Sequence, residues 1–280
     1  MFKKKYEKMG GSLTNVHLKR CIRVNTHKIK PSDLKKRLEQ KGVKLTKIPF
    51  VNHGFYIENS RFNLVSCPEY LLGLFYIQDA ASQIPAEILH PKKTVLDGFA
   101  APGGKTTQLA QYADVLALEN NPLRMKKLLH NVERLGIGNI VAYTMDFMDL
   151  TTSFNYILCD VPCSGNYMLE SGWTKKNTQE RINERSRLQK QYLSHAISLL
   201  KDDGVLLYCT CSLEPEEDEL VIEHALHHHS VCLEPIDTIG DEGLTTIFGQ
   251  KHDPSLKHCR RLWPAKTHTI GFFMARLRKC

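Results

Sequence analysis

Two cysteine-bearing stretches carry the clearest chemical signal in this sequence, "CDVPCSG" at 159–165 and "YCTCSLEPEED" at 208–218. Each follows an apolar run that reads as a strand, "NYILCD" and "GVLLYCT". Cys159 and Cys209 therefore belong inside strands and pack, whereas Cys163 and Cys211 lie just past strand ends, where a chain opens toward a ligand. The remaining cysteines, Cys21, Cys67, Cys232, Cys259 and Cys280, read as inert small hydrophobes. A zinc or iron–sulfur site built from Cys159, Cys163, Cys209 and Cys211 is disfavoured, because the spacings are not the paired two-residue gaps of zinc knuckles. The run His227–His229 sits at a helix end and reads as favourable charge on the helix dipole, not as a metal site. No metal is expected.

A second chemical signal is "VLDGFAAPGGKTTQLAQ" at 95–111. It is close to a triphosphate-binding loop, but with Gly104, Lys105 and Thr106 as anchor the first glycine is missing, since that position is Phe99. The small residues Ala100, Ala101, Gly103 and Gly104 would still let backbone N–H groups approach a ligand closely. Glu119 ends the next strand, where a carboxylate can accept from both hydroxyls of a ribose. Asp146 ends the third, placed to meet an adenine edge. An ATPase remains a rival reading, because "YILCD" ending at Asp160 resembles a magnesium-binding strand. Phe99 and the acidic Glu119 weigh against triphosphate. S-adenosyl-L-methionine satisfies both, with ribose hydroxyls for Glu119 and a single carboxylate for the loop amides.

A thiolate, an acid and a methyl donor together suit one reaction. Carbon 5 of a pyrimidine is too weak a nucleophile to take a sulfonium methyl directly. A thiolate adding to carbon 6 makes it an enamine carbon, while an acid steadies the charge building on ring nitrogen 3. A second polar group beside the first thiol would help its expulsion. The residues alone leave open which of Cys163 and Cys211 attacks.

These stretches need a frame. From about residue 94, short apolar runs alternate with amphipathic ones, the mark of a parallel sheet with helices on both faces. The last run, "TIGFFMARL", follows no comparable helix and is expected to form an antiparallel edge pair. A long, glycine-punctuated connection, "VPCSGNYMLESGWTKKNTQERINE", follows Asp160 and is expected to serve a site before a helix near Arg185. Residues 1–75 are expected to form a basic N-terminal extension with one helix, "SDLKKRLEQKG", capped by Ser32 and ended by Gly42. Residues 76–280 are expected to form the catalytic domain.

The chain has 280 residues and a formal charge of +8. Its first 50 residues hold 15 Lys+Arg against Glu7, Asp33 and Glu39, a net of +12, which leaves −4 for the rest. The segment 257–280 adds Lys257, Arg260, Arg261, Lys266, Arg276, Arg278 and Lys279 with no acid. Such local basicity favours a polyanion, nucleic acid above all. Lys175, Lys176, Arg181 and Arg185 add to it. No run approaches a membrane span and no secretion signal is seen, so no membrane partner and a cytoplasmic location are expected. The nine cysteines, odd in number, point to reduced thiols.

The ordered set "LDGFAAPGGKT", "ALENNPLR", "MD" at 145–146, "CDVPCSG" and "YCTCSLEPEE" resembles the motifs of the Nop/Sun-type RNA 5-methylcytosine methyltransferases. "RCIRVNTHK", "YIQDAASQIPAEIL" and "RRLWPAKTHTIGFFMARLRK" extend the likeness over nearly the whole chain, which is similar to compact archaeal tRNA-methylating members. The resemblance implies a Rossmann-like, S-adenosylmethionine-dependent α/β fold. It implies that Phe99, Ala100, Ala101, Pro102, Gly103, Gly104 and Lys105 line the cofactor pocket with Glu119, Arg124 and Asp146, and that Asp160 lies between cofactor and base. It also decides the cysteines: Cys211 as nucleophile, Cys163 assisting release. Phe99 stands where the family usually has cysteine, Cys209 where serine or alanine is common, and Ala265 and Ile270 where a histidine and an acid are often found. The substrate implied is tRNA, with ribosomal RNA next and a non-catalytic RNA-binding assembly factor as the reading from another class.

Overall fold

The computed structural model describes residues 2–11, 18–165 and 172–280. Part of the long connection after Asp160, residues 166–171, lies outside the described residues. The chain forms two compact units, Lys19–Asp146 and a second built from Met1–Leu18 with Phe147–Cys280. The first helix, α1 (Phe2–Lys8), belongs to the second unit.

The Lys19–Asp146 unit opens with β1 (Cys21–Val24), α2 (Pro31–Glu39), β2 (Lys44–Lys47), β3 (Gly54–Asn59), α3 (Pro68–Leu71) and β4 (Phe75–Ile77). The four strands form an antiparallel sheet in the order β2-β3-β1-β4. Sequence reading finds only the helix here. Its start also differs, because Pro31 occupies the first helical position and Lys30 is the cap, without a side-chain hydrogen bond. Proline needs no N–H partner there and presets the helical φ, so the helix begins two residues earlier than a Ser32 cap would give. Leu34 and Leu38, one turn apart, are fully buried against Ile22, Val24, Phe55 and Phe75. Burying each of these leucines contributes about 1.5–3 kcal/mol.

The same unit continues through α4 (Ala80–Leu89), β5 (Val95–Asp97), α5 (Gly104–Leu109), β6 (Val115–Leu118), α6 (Pro122–Leu135) and β7 (Ile140–Tyr143). β5, β6 and β7 pair in parallel in that order. Asn121 caps α6 by accepting from the amides of Leu123 and Arg124, and Gly136 closes it in the left-handed region.

The second unit holds β8 (Phe154–Asp160), α7 (Trp173–Lys176), α8 (Gln179–Ser198), β9 (Leu200–Thr210), α9 (Glu219–His228), β10 (Val231–Glu234), β11 (Asp241–Glu242), β12 (Thr246–Ile247), β13 (Gln250–Lys251), β14 (Arg260–Leu262), α10 (Pro264–Thr267) and β15 (Phe272–Lys279). β8 and β9 are parallel and β15 runs antiparallel to β9. β15 is not an edge strand. Its far side is shared by β14, against Phe272–Met274, and β10, against Arg276–Lys279. Phe272, Phe273, Met274 and Ala275 are all buried, and such an unbroken apolar run marks a strand covered on both faces. α8 begins at Gln179, six residues before Arg185, because Thr178 caps it by accepting from the Arg181 amide. The expected α/β architecture of parallel strands and connecting helices is the one found. No helix among the described residues is long and apolar enough to cross a membrane.

Candidate active site

The glycine turn after β5 is held by its carbonyls. The Ala100 carbonyl accepts from the Thr106 hydroxyl at 3.0 Å, Ala101 from Arg124 Nη2 at 2.7 Å, Pro102 from Asn131 Nδ2 at 2.9 Å and Gly103 from the Thr107 hydroxyl at 2.6 Å. The Gly104 carbonyl accepts from Arg23 Nη1. With these acceptors turned into the protein, the loop presents few carbonyl dipoles that would repel an anionic group. Asp97, buried at the end of β5, accepts from the Thr106 hydroxyl at 2.8 Å and the Phe99 amide at 3.4 Å and so shapes the turn.

The two glycines have different reasons. Gly103 has φ +104°, and a Cβ there would fall 2.8 Å from Leu128 Cδ1, so the fold itself requires glycine. At Gly104 a Cβ would meet nothing nearer than Gln78 Nε2 at 3.5 Å, an ordinary contact. Phe99 and Lys105 are half-buried and Pro102 is exposed. Glu119 follows β6 and is 3% exposed; its carboxylate accepts from the Asn121 amide at 3.0 Å and pairs with Arg124 Nη1 at 3.2 Å. Arg124 thus ties Glu119 to the glycine turn. Asp146 lies half-buried beyond the end of β7.

Sequence reading misses Arg23 in this unit. It is fully buried and, among the described residues, pairs with no carboxylate, donating to Gln78 Oε1 at 2.7 Å and the Thr107 hydroxyl at 2.7 Å as well as to Gly104. Desolvation lowers its guanidinium to about 9. The only hint the sequence offers is that Arg23 lies between the apolar residues Ile22 and Val24.

In the second unit, Cys163 Sγ and Cys211 Sγ lie 3.1 Å apart, although 48 residues separate them. Asp160 ends β8 beside Cys209, whose thiol is 3.4 Å from Asp160 Oδ1. Cys163 and Cys211 are half-buried, while Cys159 and Cys209 are fully buried. The hydrogen bond with Cys211, then desolvation, pushes the Cys163 thiol well up.

The acids of "EPEED" lie between β9 and α9. They form a turn before α9, and Glu214, Glu217, Asp218 and Glu219 are all fully buried. Arg261 sits among them with no exposure, donating from Nε to Glu219 at 3.1 Å and from Nη1 to the Leu213 carbonyl at 2.8 Å, and pairing with Asp218 at 3.0 Å. Tyr6 and Lys5 of α1 both donate to Glu214.

Several expectations are corrected by this packing. Arg261 is a buried counter-charge and not part of a polyanion surface. Lys266 pairs with Asp241, and Arg276 and Arg278 with Glu234, so neighbouring acids neutralise much of the C-terminal basic segment. Arg185 and Arg181 donate to Asn177 Oδ1 and the Lys176 carbonyl, fastening α8 to α7. Cys232 and Cys280 are exposed, with Cys280 donating to Cys232 across 2.8 Å. The histidine run is not a helix-end charge throughout: burial holds His229 below its ordinary value, and its ring contacts the Ser194 hydroxyl at 2.8 Å. Among the described residues no three His, Cys, Asp or Glu side chains gather as metal ligands.

An α/β fold with a glycine turn after its first parallel strand, a buried acid after the second and two sulfurs meeting past later strands is that of a methyltransferase. A methyltransferase homologue from Pyrococcus horikoshii superposes with a TM-score of 0.87 at 38% identity, over 94% of this chain and 87% of that one. Residues 86–278 match the family of 16S rRNA methyltransferase RsmB/F, and residues 1–80 match the N-terminal domain of 16S rRNA methyltransferase RsmF. The chain belongs to the RsmB/F family, which bears out the Nop/Sun resemblance. It is 34% identical to the tRNA (cytosine(49)-C(5))-methyltransferase of Pyrococcus abyssi, over 94% of this chain and 88% of that protein. It is equally 34% identical to the mouse 28S rRNA (cytosine-C(5))-methyltransferase, over 92% of this chain but 35% of that protein's length.

Proposed function

We propose that this chain transfers a methyl group from S-adenosyl-L-methionine to carbon 5 of cytosine in RNA, with tRNA as the substrate. The observation that carries it is the 3.1 Å approach of Cys163 and Cys211. Two cysteines so placed suit a reaction that must both make and break a bond between sulfur and a pyrimidine.

The turn from Phe99 to Lys105 fits the cofactor. The protein does not itself demand glycine at Gly104, whereas a ligand approaching the backbone would. Buried Glu119 retains acceptor capacity beyond the Asn121 amide and Arg124. We assign Phe99, Ala100, Ala101, Pro102, Gly103, Gly104 and Lys105 to the cofactor's binding, Glu119 to its ribose, and Arg124, Asp146 and Asp160 to neighbouring contacts. When bound, the cofactor supplies an electrophilic methyl group on a sulfonium. Cys211, as thiolate, adds to carbon 6 of a cytosine turned out of its stack, which costs a few kcal/mol of unstacking. Addition makes carbon 5 electron-rich. Asp160 provides the polar contact where charge builds on ring nitrogen 3. Carbon 5 then takes the methyl group, and its own proton must pass to a base so that the electron pair of that C–H bond can expel Cys211 as thiolate, a release that Cys163 beside it is placed to assist.

The basic segment 1–75 is assigned to RNA binding, the remainder to catalysis, and the reaction to the cytoplasm, where RNA meets thiol-reducing conditions. Lys44 and Lys47 on β2 are exposed and suited to phosphate contacts. The relative from Pyrococcus abyssi, matched over most of its length, supports tRNA. Ribosomal RNA is the second reading, favoured by the family's description and by the mouse relative. Incubation with each RNA and the methyl donor, followed by bisulfite sequencing, decides: new 5-methylcytosine in tRNA is expected, and none in either RNA would overturn the reading.

A further inference from the structure

Each of the two cysteines is followed by a serine, Ser164 and Ser212, and both serines lead to one carboxylate. Glu217 is fully buried. It accepts from the Ser164 amide at 3.0 and 3.2 Å, from the Ser164 hydroxyl, and from Gln189 Nε2 at 3.2 Å. The Ser212 hydroxyl helps favour its charged form and lies 3.3 Å from the Ser164 hydroxyl. Behind this junction, the Ser164 carbonyl accepts from Trp173 Nε1 at 2.8 Å and Asn177 Nδ2 at 3.1 Å, and Gln189 also donates to the Pro162 carbonyl at 2.9 Å. The Tyr208 hydroxyl donates to the Glu217 carbonyl at 2.7 Å. No cation forms an ion pair with Glu217 among the described residues; burial pushes its carboxyl up, while its neutral donors and the nearby charge of Arg185 favour the carboxylate. Arg261 spends its guanidinium on Asp218, Glu219 and Leu213.

We propose that Glu217 is the positioning residue of the two-cysteine site: by gripping Ser164 and Ser212 together it sets the separation and register of Cys163 and Cys211. The inference rests on the reading of those cysteines as nucleophile and release partner. Two loops from separate strands have no covalent link, so the sulfurs meet only if something outside them fixes both backbones. A carboxylate with two oxygens and about four acceptor sites can serve both loops, whereas an amide at the same place would turn a donor toward the Ser164 N–H. Errors of about 1 Å in such a pair cost on the order of 100-fold in rate.

The test uses the whole chain without RNA or methyl donor. Diamide, an azo oxidant that takes two electrons and two protons from a pair of thiols, is added under native conditions. Disulfide peptides are then followed by mass spectrometry. Cys163 and Cys211 are expected to link rapidly in the wild type and at least about tenfold more slowly in Glu217→Ala, while the surface pair Cys232 and Cys280 links equally in both and serves as the internal clock. If Glu217→Ala does not fold, Glu217→Gln decides, with a slowing of several-fold expected. A folded variant that links Cys163 to Cys211 at the wild-type rate overturns the proposal. In methyl transfer, Glu217→Gln is expected to lower kcat with KM for RNA unchanged; a rise in KM alone contradicts a positioning role. If the wild type links its cysteines but transfers no methyl group, the functional reading fails while the role of Glu217 stands on the linking rates.

Discussion

Arg261→Met would leave two buried carboxylates without their cation. The arginine has no solvent exposure and satisfies Asp218, Glu219 and the Leu213 carbonyl at once, with its guanidinium lying over the Trp263 ring at 5.1 Å. Methionine replaces most of the aliphatic volume, so the loss is electrostatic and not a cavity. Removing one partner of a buried ion pair costs about 3–5 kcal/mol, and the abandoned Leu213 carbonyl adds about 1–3 kcal/mol. The sum is comparable to the whole stability of many domains, about 5–15 kcal/mol. The deficit has a pH signature. Burial already pushes the Asp218 carboxyl well up, and Arg261 is the chief influence holding it down. Without Arg261 its folded-state pKa rises further above the unfolded value, and an acid raised in the folded state takes its proton there first, so stability is recovered as pH falls. Urea unfolding at pH 8 and pH 5.5 should therefore show a large loss at the higher pH and a smaller one at the lower. A deficit below about 1 kcal/mol at pH 8, or one that grows as pH falls, would refute the cluster's energetic role.

Glu119→Ala should weaken methyl-donor binding by tenfold or more, since hydrogen bonds to a charged acceptor are worth about 1.5–3 kcal/mol each; unchanged affinity by calorimetry counts against the ribose contact. Gly103→Ala should lower the melting temperature and the donor affinity together, because the left-handed φ and the Leu128 clash both act on the turn; a variant with wild-type values in both would contradict that geometry. Lys44→Ala with Lys47→Ala should lessen the salt dependence of RNA binding by about one log–log unit per lysine. Retention of the full slope would place the phosphate contacts elsewhere.

The parallel strands were legible as short apolar runs bounded by turns, with amphipathic helices after β5 and β6 and before β9, and the site residues at their ends could be read with them. Cys163 and Cys211 could be singled out as lying past strand ends, but not their distance from each other, which depends on contacts 48 residues apart. The sheet of β1 to β4 was hidden because its strands are short and β2 turns lysines outward around a single buried Leu45. Arg261 read as surface charge since its partners Asp218 and Glu219 lie far back in the chain, and Lys5 and Tyr6 meet Glu214 across more than 200 residues. Glu217 was visible only as one acid in a run. Nothing local distinguishes a solvated glutamate from one that gathers two loops.

Trapping tests the central claim most directly. RNA transcribed with 5-fluorocytidine lets a thiolate add to carbon 6 and methylation proceed, but the fluorine cannot leave as the proton would, so the protein–RNA bond persists through denaturation. Incubated with this RNA and the methyl donor, the chain should yield a stable adduct whose peptide carries the nucleotide on Cys211, and Cys211→Ala should yield none. An adduct on Cys163, or one formed undiminished in Cys211→Ala, would contradict the account.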